Sequence, residues 1–414
     1  MATHTVISGA RIFDGRAPLG TGTVVVEDGV ITQVLLGDAG LPGDPEGTGS
    51  SERVDGSGMT LLPGLIDAHT HLAGPQSLEQ DLRYGVTTVL DMFSFPPPLT
   101  AGLRAQVAAH SGWADFRSAG LMAGAKGGWP AVFLPPEING WQMPGLTGPH
   151  DAAAFVADRK AEGSDYLKVF VENGAEVTRP ALSADTVAAL CTQARAQGLM
   201  SVAHAPTLWA FRTAIKAGVD VLTHLPLDGV LEQDEASAAV AAGLVLVPTL
   251  TMMQALTDLR STDRILADPR LTARLAPGVA DALAAGDRAG LPTSSAKGAS
   301  YANAVANLAL FQAAGAPVLV GTDANDQPGK AAPVLHGASQ HLELELLVEA
   351  GLTPADVLRG ATAMPAAAFG LTDRGTIAPG LRADLLLVQG DPLTDITATR
   401  DITRVWRVGA PAPH

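Results

Sequence analysis

The chain has 414 residues, 47% hydrophobic and 17% charged, enough to bury a large core and more than most single sandwich folds contain. Its net charge of −15 argues against nucleic acid or an anionic membrane surface as a partner. The single cysteine, Cys191, excludes an internal disulfide and reads as an inert buried thiol in a reducing compartment. The N-terminus, Met-Ala-Thr-His-Thr-Val, has no basic segment followed by an apolar core, so no signal peptide is expected. The most apolar window, 236–250, is broken by Gly243 and reads as a helix end feeding a buried strand, not a membrane span. The expected setting is the cytoplasm. The expected partner is a small-molecule substrate, with no nucleic acid and no membrane, and a homo-oligomer is compatible with the sequence.

In chain order, 5–13 and 23–34 are strand-like, with Asp28-Gly29 as a hairpin signal, and 40–58 reads as a Gly- and Ser-rich linker. The tail repeats this character at 384–389 and 403–408, around the turn-rich stretch 390–395. Neither end can bury its apolar face alone. The expected arrangement is therefore a small β-sandwich domain assembled from 1–58 plus 377–414, flanking a central domain at 59–376. Within the centre, strands are expected at 61–71, 87–93, 116–123, 166–172, 200–205, 221–225, 244–250 and 318–323. Helices at 152–162, 184–197, 208–217 and 236–242 sit between them, several ending at glycine. This is an α/β pattern of eight units, which suggests a (β/α)8 TIM barrel, although a doubly wound open sheet alternates similarly. A long insertion, 251–315, reads as largely helical with loops near Pro277 and Pro292.

The polar residues fall where such a barrel keeps its chemistry, at the C-terminal ends of strands. His69 and His71 end the first strand one residue apart, so both address one face. His204 ends the fifth strand, His224 the sixth and Asp323 the eighth. A lone histidine at a strand end is usually structural, but four of the chain's ten histidines share this position. Imidazoles with a carboxylate suit zinc first, and also iron, nickel or manganese. Lys168 is the other anomaly, a cation inside a strand otherwise fit for burial, where an ammonium sheds its proton unless it snorkels to solvent. A neutral lysine amine can take up carbon dioxide and become an anionic ligand bridging two metals. Glu172, on the same strand face, is the reserve for that role.

Leu-Pro-Gly-Leu-Ile-Asp-Ala-His-Thr-His-Leu at 62–72, Gly-Val-Thr-Thr-Val at 85–89 and the tail from Gly375 to Leu385 resemble the amidohydrolase superfamily, in its binuclear carboxylated-lysine branch. The likeness covers nearly the whole chain. It implies two divalent ions, with His69, His71 and Asp323 on the more buried one and His204 and His224 on the other. Carboxylated Lys168 and a hydroxide would bridge them, and Asp323 would shuttle the proton. The surroundings of Lys168 and of His336 are similar to imidazolonepropionase-like and Xaa-Pro or Xaa-Arg dipeptidase relatives, which cleave amide bonds in dipeptides, N-acyl amino acids, cyclic amides or carbamates. One departure stands out. Where relatives often have Gly-Gly-His, this chain has Lys126-Gly-Gly-Trp129. Lys126, Trp129, Trp141 and His336 are the expected substrate residues, with packing of a loop as the plain alternative for Trp129 and support of a ligand for His336. Lactonases and phosphotriesterases use the same ligands and remain alternatives. A mononuclear deaminase has no use for Lys168, and a non-catalytic scaffold has no need of all six ligands.

Overall fold

Apolar residues at nearly every second position make the first run a strand, β1 (Thr3–Phe13), while Asp28-Gly29 folds the second into β2 (Pro18–Glu27) and β3 (Val30–Leu36). Both turn residues take positive φ, 48° and 82°, as a two-residue hairpin demands. The computed structural model describes residues 3–37, 50–135, 137–257, 260–285, 298–325 and 334–413. The linker reading of 40–58 is corrected in part: β4 (Ser50–Asp55) lies there, parallel to β1, while 40–49 is outside the described residues. Pairing with β1 overrides the polar composition that pointed to a loop.

The run 61–71 is two strands, because Gly64 breaks it. A Cβ at Gly64 would meet the Thr87 side chain at 2.2 Å. Its N–H goes instead to the carbonyl of Asp384. So β5 (Met59–Pro63) stays with the N-terminal strands, and β6 (Leu65–Thr70) opens a new sheet. That sheet is parallel and continues through β7 (Val86–Asp91) and β8 (Asp115–Ser118). A second parallel sheet holds β9 (Leu167–Phe170), β10 (Ser201–His204), β11 (Val221–Thr223) and β12 (Val245–Val247) in sequential order.

Backbone bonds join the two sheets at both ends. Ala123 donates to the Lys168 carbonyl and accepts from the Phe170 N–H. At the other end, Leu319 donates to Leu246, Ala68 to Val320, and His71 to Ala324. The expected eighth strand, 318–323, and Ala324 after it therefore bond to neighbours on both sides without forming a continuous ladder. The interruption has a local cause. At Gly321 a Cβ would sit 2.9 Å from the His69 nitrogen, and Asp323 takes φ 64°. Alternate strand residues pack in different directions. Val202, Val221, Val247 and Leu319 share one apolar cluster, while Ala203, Leu222, Leu246 and Val320 pack with helix residues such as Phe211, Leu308 and Leu342. Strands buried on both faces read as the continuous apolar runs seen in the sequence.

The fold is mixed α/β. Helices Ala152–Ala161, Ala184–Ala196, Leu208–Ala217 and Gln233–Ala241 fall where the periodicity places them. The insertion contributes Leu250–Thr257, Arg260–Ala267, Pro269–Thr272, Val279–Ala285 and Tyr301–Ala313. The loop expected near Pro292 lies outside the described residues. The tail supplies β13 (Leu385–Gln389), β14 (Ile402–Arg407) and β15 (Ala410–Pro411). These join the N-terminal strands in one sheet ordered β15-β14-β13-β5-β1-β2-β3, with β4 also on β1. Ile31 from one end of that order and Trp406 near the other pack in the same cluster, so the sheet folds over on itself. Among the described residues, no helix is long and apolar enough to cross a membrane.

Candidate metal centre

Three parallel strands carry their reactive residues by simple alternation. Lys168 follows Tyr166, His204 follows Val202, and Thr223 follows Val221; the lower residue of each pair belongs to the same inner cluster. On β6 the pairing register shifts between Asp67 and Thr70, and the imidazoles of His69, within the shift, and His71, just past it, converge. Their Nε2 atoms lie 3.3 and 2.9 Å from Oδ1 of Asp323. These three residues can offer ligand atoms all within 4.8 Å of one another. His224 lies beside them, its ring 5.0 Å from that of His69 and 4.5 Å from that of His204. The Lys168 amine donates to the Thr223 hydroxyl at 2.9 Å and stands 3.5 Å from His69 Nε2. All six expected ligand residues are thus gathered at one place, from five strand ends or segments, His69 and His71 sharing one.

Two of them, His224 and Asp323, hold left-handed backbone, with φ 74° and 64°. Side-chain-bearing residues adopt this region sparingly, and it clusters at sites where the surrounding structure enforces it. Burial favours the neutral form of three imidazoles: it pushes His69 and His224 well below their ordinary value and lowers His204 in the same direction. Burial likewise lowers the Lys168 ammonium to about 7, opposed by Asp323. The Asp323 carboxyl is raised by burial, but His69, His71 and His224 around it hold it well below the usual carboxylate range. Neutral imidazoles, an ionised carboxylate and a readily deprotonated amine make a donor set suited to a divalent cation. Glu172 supports that fit. Its Oε1 lies 3.4 Å from His204 Nε2, and its buried Oε2 has no hydrogen-bond partner among the described residues.

The expected substrate residues fare differently. Trp129 is half-buried and stacks on Phe170 with centroids 6.2 Å apart, and Phe170 stacks on His204 at 4.0 Å. The guanidinium of Arg179 lies 5.6 Å from the Trp129 ring centroid. Lys126 is exposed nearby in sequence, and Trp141 is 41% exposed on a turn closed by backbone bonds with Ile138. His336 is fully buried. It lies 2.9 Å from Asp81 and 3.2 Å from the His71 carbonyl, where it supports a ligand-bearing strand end.

Sequence reasoning missed several supporting residues. Asp67 accepts from the N–H groups of His69 and Thr322 and from the Thr322 hydroxyl, tying the first strand end to the last. Burial raises its carboxyl to about 8. The odd-numbered spacing Asp67, His69, His71 was the available signal. Phe170, and Thr249 with its hydroxyl 2.8 Å from His224 Nδ1, had no comparable signature, since each gains meaning only from a partner distant in sequence.

The sequence profile described as the amidohydrolase family matches residues 60–410. The chain belongs to the amidohydrolase family. Among curated proteins of this kind, it is 43% identical over 100 residues to an imidazolonepropionase from Deinococcus deserti, a stretch covering 23% of this chain and 24% of that protein. Among solved structures, a Xaa-Pro dipeptidase with methionine bound in its active site superposes with a TM-score of 0.75 at 20% identity, covering 99% of this chain and 100% of that one. A molinate hydrolase gives 0.73 at 20% identity, covering 99% and 94%. At these identities the two structures establish a shared fold. Membership of this family supports a hydrolase acting on carbon–nitrogen bonds, and the family generally uses a divalent metal.

Proposed function

We propose that this chain is a metal-dependent hydrolase of an amide-type carbon–nitrogen bond, in an N-acyl amino acid, dipeptide, cyclic amide or carbamate. The observation that carries the reading is the buried Lys168 amine beside His69, in the same cluster as Asp323 and His224. The architecture behind it is a (β/α)8 barrel at 59–376, closed by 318–324, with a composite β domain from 1–58 and 377–414. His69, His71 and Asp323 would hold one ion, most simply zinc, and His204 and His224 a second. Lys168 would join them as its carbamate: the neutral Nζ lone pair bonds to the carbon of CO2 and one N–H proton is released.

Bound there, divalent ions lower the pKa of water from 15.7 to roughly 7 and polarise the scissile carbonyl. Asp323 accepts the proton of the attacking water and delivers it to the leaving amine nitrogen. The Trp129–Phe170 stack, ending on His204, forms an aromatic wall on which a flat substrate group can lie.

Elemental analysis of protein purified with zinc and bicarbonate should give two ions per chain. A firm stoichiometry of one, with Lys168 unmodified, would overturn the binuclear reading. A screen of N-acyl amino acids, dipeptides and carbamates against lactones, phosphotriesters and aminopyrimidines tests the reaction class, and hydrolysis confined to the last three would sink it. For the best substrate, Trp129→Ala should reduce kcat/KM by roughly two- to tenfold, since stacked aromatic contacts contribute ~0.5–1.5 kcal/mol beyond their area. Metal content and Tm should stay nearly unchanged. A large fall in Tm with catalysis per folded molecule intact would mean that Trp129 only packs its loop.

A further inference from the structure

We infer that Glu343 is a positioning residue for this centre, acting through Thr249 to fix the tautomer and ring orientation of His224. Glu343 lies in helix Ala338–Glu349 and is completely buried. Its Oε1 accepts from the Leu250 N–H at 2.8 Å, and its Oε2 accepts from the Thr251 N–H at 2.6 Å and the Thr251 hydroxyl at 2.8 Å. All three donors stand at the start of helix Leu250–Thr257, where N–H groups lack intrahelical acceptors and negative charge is favoured.

Capping alone would make Glu343 structural. The residue just before its donors gives it a further role. Thr249 is buried with φ 49°, a left-handed backbone that a β-branched residue keeps only where its surroundings over-determine it. The Thr249 carbonyl accepts from Met253 N–H at 3.0 Å, and Glu343 pins the two amides that follow. Held so, the Thr249 hydroxyl oxygen sits 2.8 Å from His224 Nδ1. With Nδ1–H donating to that oxygen, Nε2 of His224 is left bare. A second ring-nitrogen partner of this kind commonly fixes both tautomer and orientation of a metal-binding histidine. Glu343 thus reaches the centre from a helix 94 positions beyond Thr249 in the chain.

The inference draws its metal consequence from the reading above, but its first readout needs no metal. In metal-stripped protein labelled with nitrogen-15 at histidine, two-bond nitrogen–proton correlations report which ring nitrogen bears the proton; His224→Asn assigns the signal. Burial raises the Glu343 carboxyl to about 7, so mildly alkaline buffer keeps it ionised. The native protein should show His224 as the Nδ1–H form. Glu343→Gln, which turns an amide NH2 toward a donor, and Thr249→Val should both mix the tautomers. Each should also weaken zinc binding by roughly 10–100-fold. The double variant should bind zinc no more weakly than the poorer single one. His341→Gln controls for lost packing: this equally buried residue of the same helix bonds Tyr84 and Thr399, so its loss should lower Tm and leave both readouts alone. An unchanged His224 tautomer in Glu343→Gln, or additive losses in the double variant, would reduce Glu343 to a helix cap. Absence of zinc binding in the native protein would overturn the metal reading instead, and the tautomer pattern alone would then decide the role of Glu343.

Discussion

Replacing Lys168 with alanine should abolish turnover and empty at least one metal site. A bridging anion stabilises both ions and the charge that develops at the carbonyl, a contribution of several kcal/mol, or about 10²–10³-fold in rate. Lys168 is buried, with its amine on the Thr223 hydroxyl. Thr223 also donates to the Ala203 carbonyl at 3.0 Å, so removing the amine strands no buried hydroxyl. Lys168→Met therefore supplies a second arm: it fills the space, spares the desolvation of an ammonium and, compared metal-free with metal-free, should leave Tm unchanged or higher. Both variants should be inactive. Acetate or propionate should restore part of the activity and metal content in Lys168→Ala, where room for a carboxylate exists, and nothing in Lys168→Met. In the native protein, uptake of CO2 should grow as pH rises through about 7, since burial places deprotonation of the amine there. Activity retained in both variants would leave Glu172, already 3.4 Å from His204, as the bridging group.

The candidate ligands were legible because each is a polar residue ending an apolar run, a pattern that period-2 alternation converts directly into a shared position. Lys168 was legible for the same reason, as a charge inside a strand with no solvent face. The backbone irregularities were not. The break at Gly64 depends on the nearness of Thr87, and the missing ladder at 318–324 depends on the approach of Gly321 to His69. Neither neighbour is local in sequence. The strand β4 was hidden because its stabilisation is backbone pairing with β1, to which its polar side chains give no clue. The aromatic wall was half legible: Trp129 stood out as a departure, but its stacking on Phe170 and the Arg179 guanidinium needed the fold. Supporting residues such as Asp67 and Glu343 satisfy backbone donors, a demand set by geometry and invisible to composition.

Asp323→Asn separates shape from proton transfer. Asparagine tolerates the left-handed backbone that Asp323 holds at φ 64°, and it keeps an oxygen to face His71 and His69. The local fold should therefore survive, with Tm close to native. The variant lacks a second anionic oxygen able to take and return a proton. General acid–base catalysis contributes about 10²–10⁴-fold, so kcat should fall by at least that range while zinc persists in reduced amount. Rescue by added bases gives a sharper discrimination. In the native protein the Asp323 carboxyl is held well below the usual carboxylate range, ionised and competent as a base across neutral pH. If it is the shuttle, added small bases such as imidazole should restore part of the lost kcat in the variant, with a dependence on the basicity of the added amine. If Asp323 only binds metal, excess zinc should restore activity and added bases should not. More than a tenth of native turnover in Asp323→Asn at full metal loading would show that another group moves the proton.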